Sequence, residues 1–199
     1  VDHGEMLVHY ETAQHDPCLL NTMTLLNPIT PDSFKIAAPE GATRVKATCM
    51  DTLPWIPITQ PREVELACVD GYVACDVDQD VLYIAQVERY GKNGNVGKAF
   101  MGGFHMTSGA IASSVGHDNH NIIVMGTNFE DMSIAVNHLV EIGGGQCLVD
   151  GGEIIECVEY PLCGLLSDLS CEELAAKKSA LNTACAERGC IISIPFMFL

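Results

Sequence analysis

Two-residue turns ending in glycine punctuate the middle of this chain, and they constrain its fold more than any other feature. Asp70-Gly71 separates the β-prone runs Val64 to Cys68 and Tyr72 to Cys75, and Asn93-Gly94 precedes the run Val96 to Phe104. Such dipeptides accept the positive φ angles of tight hairpin turns, so the flanking runs are predicted to pair antiparallel. Asp150-Gly151-Gly152 predicts a further hairpin. Val81 to Val87 is a near-continuous β-prone run whose two-sided hydrophobicity predicts a central strand buried on both faces. Ala110 to Val115 and Ile122 to Met125 are predicted strands on either side of a polar turn, His117-Asp118-Asn119-His120-Asn121.

Helix signals are fewer. Asn128 is a predicted N-cap, with Glu130 and Asp131 in the first turn and Met132, Ala135, Val136, Leu139 and Val140 at helical spacing, up to a stop at Gly143-Gly144-Gly145. Ser170 and Glu173 form a capping-box pattern that opens a second helix reaching Arg188 and ending at Gly189. Strands outnumber helices and do not alternate with them. The expected class is therefore α+β, a mostly antiparallel, hairpin-rich sheet with helices packed on it, in a single domain over 1–199. Residues 1–30 read as an N-terminal arm set against the core or a neighbouring subunit. Pro54, Pro57 and Pro61 are expected to keep the segment around Trp55 out of helix and central sheet, as extended chain and loops.

Composition removes several function classes. Twenty-six acidic residues against ten basic ones give a formal charge of −16, which repels a phosphate backbone, so nucleic acid is not an expected partner. No stretch reaches the roughly 20 apolar residues of a membrane helix, and no basic leader with an apolar block opens the sequence, so a cytoplasmic location without membrane insertion is expected. The ten cysteines are scattered through apolar runs with no C-x-x-C pair, which speaks against zinc-ribbon and iron–sulfur spacing. They read as reduced core residues, an oxidised framework being the other reading of an even count.

Chemistry concentrates in the polar turn. His117, Asp118 and His120 supply two nitrogen ligands and a carboxylate that serves as hard ligand or general base. The competing reading is a turn rich in Asn and Asp whose side chains satisfy its own backbone. Gly91 to Gly97 matches neither the P-loop nor the dinucleotide fingerprint, and a hairpin explains it. Glu88-Arg89 reads as a strand-end ion pair or as a functional pair. His105 and His138 lie on apolar elements as ordinary core or surface histidines. Cys157 and Cys163 have no local histidine partner, so neither is a predicted nucleophile.

Val87-Glu88-Arg89, Gly94-Asn95-Val96-Gly97, the run Gly109 to Asn121 and Val124-Met125-Gly126-Thr127-Asn128 resemble, in that order, the C-terminal domain of adenine deaminases. The similarity continues through Asp131-Met132, Asn137, Glu141 to Gly145, Leu165-Leu166-Ser167-Asp168 and Pro195-Phe196-Met197, and begins more weakly near Asn27-Pro28. His105-Met106 and Asn119 depart from the family pattern. The resemblance implies a part in converting adenine and water to hypoxanthine and ammonia. In the family that reaction uses metal-activated water in a separate amidohydrolase barrel, with Mn2+ or Fe2+, or Zn2+, as the implied ion.

This sequence contains no H-x-H pair, and a (β/α)8 barrel of roughly 250 residues does not fit beside the C-terminal domain. Deamination is therefore expected to need a separate barrel as partner. The resemblance makes His117, Asp118 and His120 the candidate catalytic or metal-ligating residues, and Asn121, Glu88, Arg89, Ser113 and Ser114 the candidate contacts to adenine or a related purine. The alternatives are a non-catalytic purine- or metal-binding module and a structural domain that assembles as a homo-oligomer.

Overall fold

The computed structural model describes residue 3, residues 14–53 and residues 55–199, leaving aside the Pro57 side chain. Residues 1, 2 and 4–13 of the expected arm, and Pro54, lie outside the described residues. The strands are β1 (Arg44–Leu53), β2 (Ile56–Val69), β3 (Tyr72–Val73), β4 (Leu82–Val87), β5 (Val96–Gly102), β6 (Ala110–Ser113), β7 (Ile122–Gly126), β8 (Gly145–Asp150) and β9 (Glu153–Glu159). The helices are α1 (Phe129–Glu141) and α2 (Cys171–Glu187). Among the described residues all nine strands form one sheet in the order β3-β2-β1-β5-β4-β7-β6-β8-β9.

Every neighbouring pair is antiparallel except β1 and β5, which run parallel with Cys49 opposite Phe100. The α+β class and the mostly antiparallel pairing are those expected, and the one parallel pair makes the sheet mixed. The Asp70-Gly71 turn joins β2 to β3 with φ of 49° and 82°, as its residues require. The segment after Trp55 is extended and away from the centre of the sheet, as expected, but it is strand and not loop. Its prolines lie within β2, whose outer side meets β3 only at Cys68 and Val69. A free outer edge is where a sheet tolerates a missing N–H. Across β2 the long β1–β2 hairpin runs from Arg44 opposite Ala67 to Thr52 opposite Thr59.

β4 occupies the middle of the order, and its alternation divides the core. Tyr83, Ala85 and Val87 face a cluster with Phe34, Leu66, Met132 and Leu139, beneath α1 and the chain around Ile29. Leu82 and Ile84 face a second cluster with Phe104, Met106, Leu148, Leu181 and Phe196, beneath α2 and the C-terminal segment. α1 packs on β6, β7 and β8, whereas α2 packs on β8 and β9. Leu139 is fully buried, and its truncation to alanine is worth about 2–5 kcal/mol at a site of this kind.

Both helices start as their residues dictate. Asn128 Oδ1 accepts from Asp131 N at 2.8 Å, and the buried Asp131 carboxylate accepts from Gly152 N at 2.8 Å, tying α1 to the β8–β9 turn. Ser170 and Glu173 close a reciprocal capping box at the start of α2.

Candidate functional site

The polar turn between β6 and β7 is held from below by the end of β4. Arg89 is 2% exposed. Its Nε donates to the carbonyl oxygen of His120, Nη2 to that of Cys163 at 3.0 Å, and Nη1 to Thr22 Oγ1 and Met23 Sδ, both at 3.3 Å. The Arg89 backbone closes the arrangement, its N–H reaching Asn121 Oδ1 at 3.4 Å and its carbonyl accepting from Thr24 N at 2.8 Å. A buried guanidinium is tolerable only when its donors find acceptors, and here they gather three separate pieces of chain, at Thr22-Met23, His120 and Cys163. Gly164 makes room for it: its φ is +69°, and a Cβ there would lie 2.6 Å from Arg89 Nη1.

Tyr90 and Gln86 finish the clamp. The Tyr90 hydroxyl donates to the carbonyls of Asn119 at 2.9 Å and His120 at 3.3 Å, and its ring lies 5.1 Å from the Arg89 guanidinium. Gln86 Nε2 donates to Asn119 Oδ1 at 3.3 Å. Within the turn, His120 N donates to Gly116 O at 2.8 Å and Asn121 N to Asn119 Oδ1 at 2.9 Å. The turn's backbone is therefore satisfied from inside and from β4 together.

Glu88 does not pair with Arg89. Its carboxylate accepts from the backbone N–H groups of Tyr90 at 2.5 Å, Lys92 and Gly94 at 3.1 Å, and Asn93 at 3.2 Å. Burial opposes its ionisation, but the amides of Gly94, Tyr90, Asn93 and Lys92 outweigh burial and hold the carboxyl below its ordinary 4.5. Ser113 and Ser114 are fully buried. Ser114 Oγ donates to Gly164 O at 2.6 Å and accepts from Gly145 N at 2.8 Å, while Ser113 Oγ accepts from Val115 N at 3.1 Å.

The turn separates its own side chains. His117 and Asp118 are exposed, whereas His120, in the left-handed region at φ 52°, is half-buried with Nδ1 enclosed and unpartnered. Among the described residues no group of three His, Cys, Asp or Glu side chains could hold a metal ion. His117, Asp118 and His120 thus do not fit the Mn2+, Fe2+ or Zn2+ that the sequence resemblance implies.

His117 instead opens onto a cavity of about 340 Å³ shared with Thr52, Thr59 and the C-terminal Met197, Phe198 and Leu199. A second hollow of about 210 Å³ lies along the same side of the sheet, lined by Met50, Ile84, Gln86, Ala99 and Ile123 among others. Ile84, Ala99, Ile123, Phe198 and Leu199 all belong to the core cluster beneath α2. Met50 and Thr52, two apart on β1, face one way, Met50 lining the second hollow and Thr52 the first. Sequence reasoning missed Gln86, Thr52 and Thr59. A lone amide in the apolar run Val81 to Val87 is the signal that marks Gln86.

A mixed nine-stranded sheet with a clamped, histidine-bearing turn beside an open face defines the class of α+β domain to which this chain belongs, and residues 57–199 match the model of the adenine deaminase C-terminal domain. The chain belongs to the adenine deaminase family. It is 46% identical to Adenine deaminase 4 of Rhizobium meliloti over 98% of the chain and 33% of that protein. It is 37% identical to the adenine deaminase of Moorella thermoacetica over 98% of the chain and 33% of that protein, and 41% identical to one from Clostridium botulinum over 89% and 30%. The chain thus spans about a third of the length of these relatives.

Proposed function

We propose that this chain acts in the hydrolytic deamination of adenine, as the C-terminal domain working with a separate amidohydrolase barrel. Water adds at the carbon bearing the amino group, ammonia leaves, and hypoxanthine results. Metal-activated water belongs to the barrel in this reading, since among the described residues no group of His, Cys, Asp or Glu side chains gathers to hold an ion. The part of this chain is to present His117 and Asp118, and the apolar hollow lined by Met50 and Ile123, to a purine or to the mouth of the barrel. Arg89, Glu88, Ser113, Ser114 and Asn121 act through the shape of the turn, because their polar atoms are already engaged by backbone. The ten cysteines carry free thiols, which suits the reducing cytoplasm.

The observation that carries the proposal is the position of His117, exposed on a rigidly held turn and lining the cavity beside the open face. The test supplies the chain to the remaining two thirds of a relative and follows ammonia release from adenine. A gain of about tenfold or more is expected, equivalent to about 1.4 kcal/mol of barrier. No gain in a demonstrated complex would reject the proposal. A second reading, a non-catalytic purine-binding module, is favoured by the same hollow near Ile84 and Gln86. Calorimetric titration of the chain alone with adenine and hypoxanthine separates the two, since only the module binds unaided.

A further inference from the structure

The two faces of the sheet are covered unequally. α1 and the segment around Ile29 and Phe34 cover one side, while α2 on the other packs mainly on β8 and β9. Beyond the part capped by α2 and the C-terminal segment, that second side carries the two hollows, one of them beside His117. The middle strand β4 is buried there at Leu82 and Ile84, and its half-buried Gln86 lines the second hollow. Met50 is 37% exposed on its floor, Met197 55% exposed on its wall, and Trp55 76% exposed at the tip of the β1–β2 hairpin that extends it.

Charge sets this surface apart. The chain carries twenty-six acidic residues, yet among the described residues no Asp or Glu side chain lines either hollow, and Lys98 and His117 are the ionisable side chains there. Depletion of charge with enrichment of methionine and aromatic residues is the composition of an interface core. Two copies of a chain with a net charge of −16 repel one another at long range, which disfavours a second copy as the cover. Polypeptide of another kind is at hand, because two thirds of each relative lies outside the part this chain matches.

We infer that the hollowed part of this face, from Ile123 past Gln86 and Met50 to Thr59 and Met197, is the seat of the catalytic portion of an adenine deaminase polypeptide. Docking there places His117 at the rim of the contact, facing the partner. This inference rests on the deaminase reading above and adds the surface through which it operates.

The test grafts this chain in place of the matching third of the Rhizobium meliloti relative and installs Met50→benzoylphenylalanine or Met197→benzoylphenylalanine, with Ile154→benzoylphenylalanine as control. Ile154, on β9, is 42% exposed and remote from the hollows. On irradiation, crosslinks from positions 50 and 197 to the other two thirds of the polypeptide are expected at about ten times the yield from position 154. Crosslinks to the same third of a second copy, or equal yields at all three positions, would overturn the inference. Adenine turnover by the unlabelled graft is scored separately. Turnover without these crosslinks removes the docking surface and leaves the deaminase reading standing, whereas crosslinks without turnover do the reverse. If the graft does not accumulate, the labelled chain mixed with the separate two thirds gives the same readout, and absence of crosslinks there counts equally against the inference.

Discussion

The Nε of Arg89 donates to the carbonyl oxygen of His120, so the last residue of β4's extension fixes the turn that carries His117. Arg89 also holds Cys163 and Thr22, residues far apart in the chain. Arg89→Ala strands the Cys163 carbonyl and leaves the His120 carbonyl to the Tyr90 hydroxyl alone, an unpaired buried group being worth about 1–3 kcal/mol. Equilibrium urea unfolding is expected to show a loss of about 2–5 kcal/mol, and Arg89→Lys, which lacks the planar fork, recovers only part of it. Gly164→Ala is expected to mimic the loss by pushing the guanidinium aside.

Glu88 predicts the acid side of the stability profile. Its folded pKa is depressed, so its contribution is fully present above the ordinary value of 4.5 and disappears as pH falls through the lower folded value. Urea midpoints measured between pH 6 and roughly pH 3 should fall less steeply for Glu88→Gln than for the unaltered chain. Parallel curves would show that the four backbone amides do not favour the carboxylate.

Thiol reactivity follows burial. Desolvation pushes Cys49 and Cys185 up to about 12 and Cys157 up to about 11, and raises Cys147 well above its ordinary 9.0. Cys18 and Cys171 are exposed. Brief alkylation of the native chain at pH 8 is expected to label Cys18 and Cys171 and to spare Cys49, Cys147, Cys185 and Cys190 until denaturant is added, as read by peptide mass spectrometry.

Asn128→Ala removes the N-cap of α1 and one partner of Asp131. A loss of about 1 kcal/mol is expected in the unfolding free energy, and up to about 2 if the β8–β9 turn loosens with it.

The local part of this fold was legible in the sequence because its signals are local. Asp70-Gly71 reads as a turn from its own backbone preferences, Val81 to Val87 as a central strand from its composition, and the caps at Asn128 and Ser170 from three-residue spacings. The β1–β2 hairpin was not, since Pro57 and Pro61 argue against strand until the free outer edge of β2 is known. Nor was the parallel pairing of β1 with β5, which joins Cys49 to Phe100 across fifty residues of chain. The polar turn was found from its residue types, but its division into exposed His117 and Asp118 and half-buried His120 depends on the left-handed backbone at His120. Arg89 read as half of an ion pair because its acceptors are backbone carbonyls, which leave no trace in residue identity.

The account turns on His117. Its most direct test is ammonia release from adenine by the Rhizobium meliloti relative carrying this chain as its matching third, with and without His117→Ala. Because His117 is exposed and carries none of the clamp, the substitution should leave the melting temperature within about a degree or two, as surface changes do. Turnover is expected to fall about tenfold, in kcat or KM. Unchanged kcat and KM in a folded graft would contradict the assignment of the turn as the functional site.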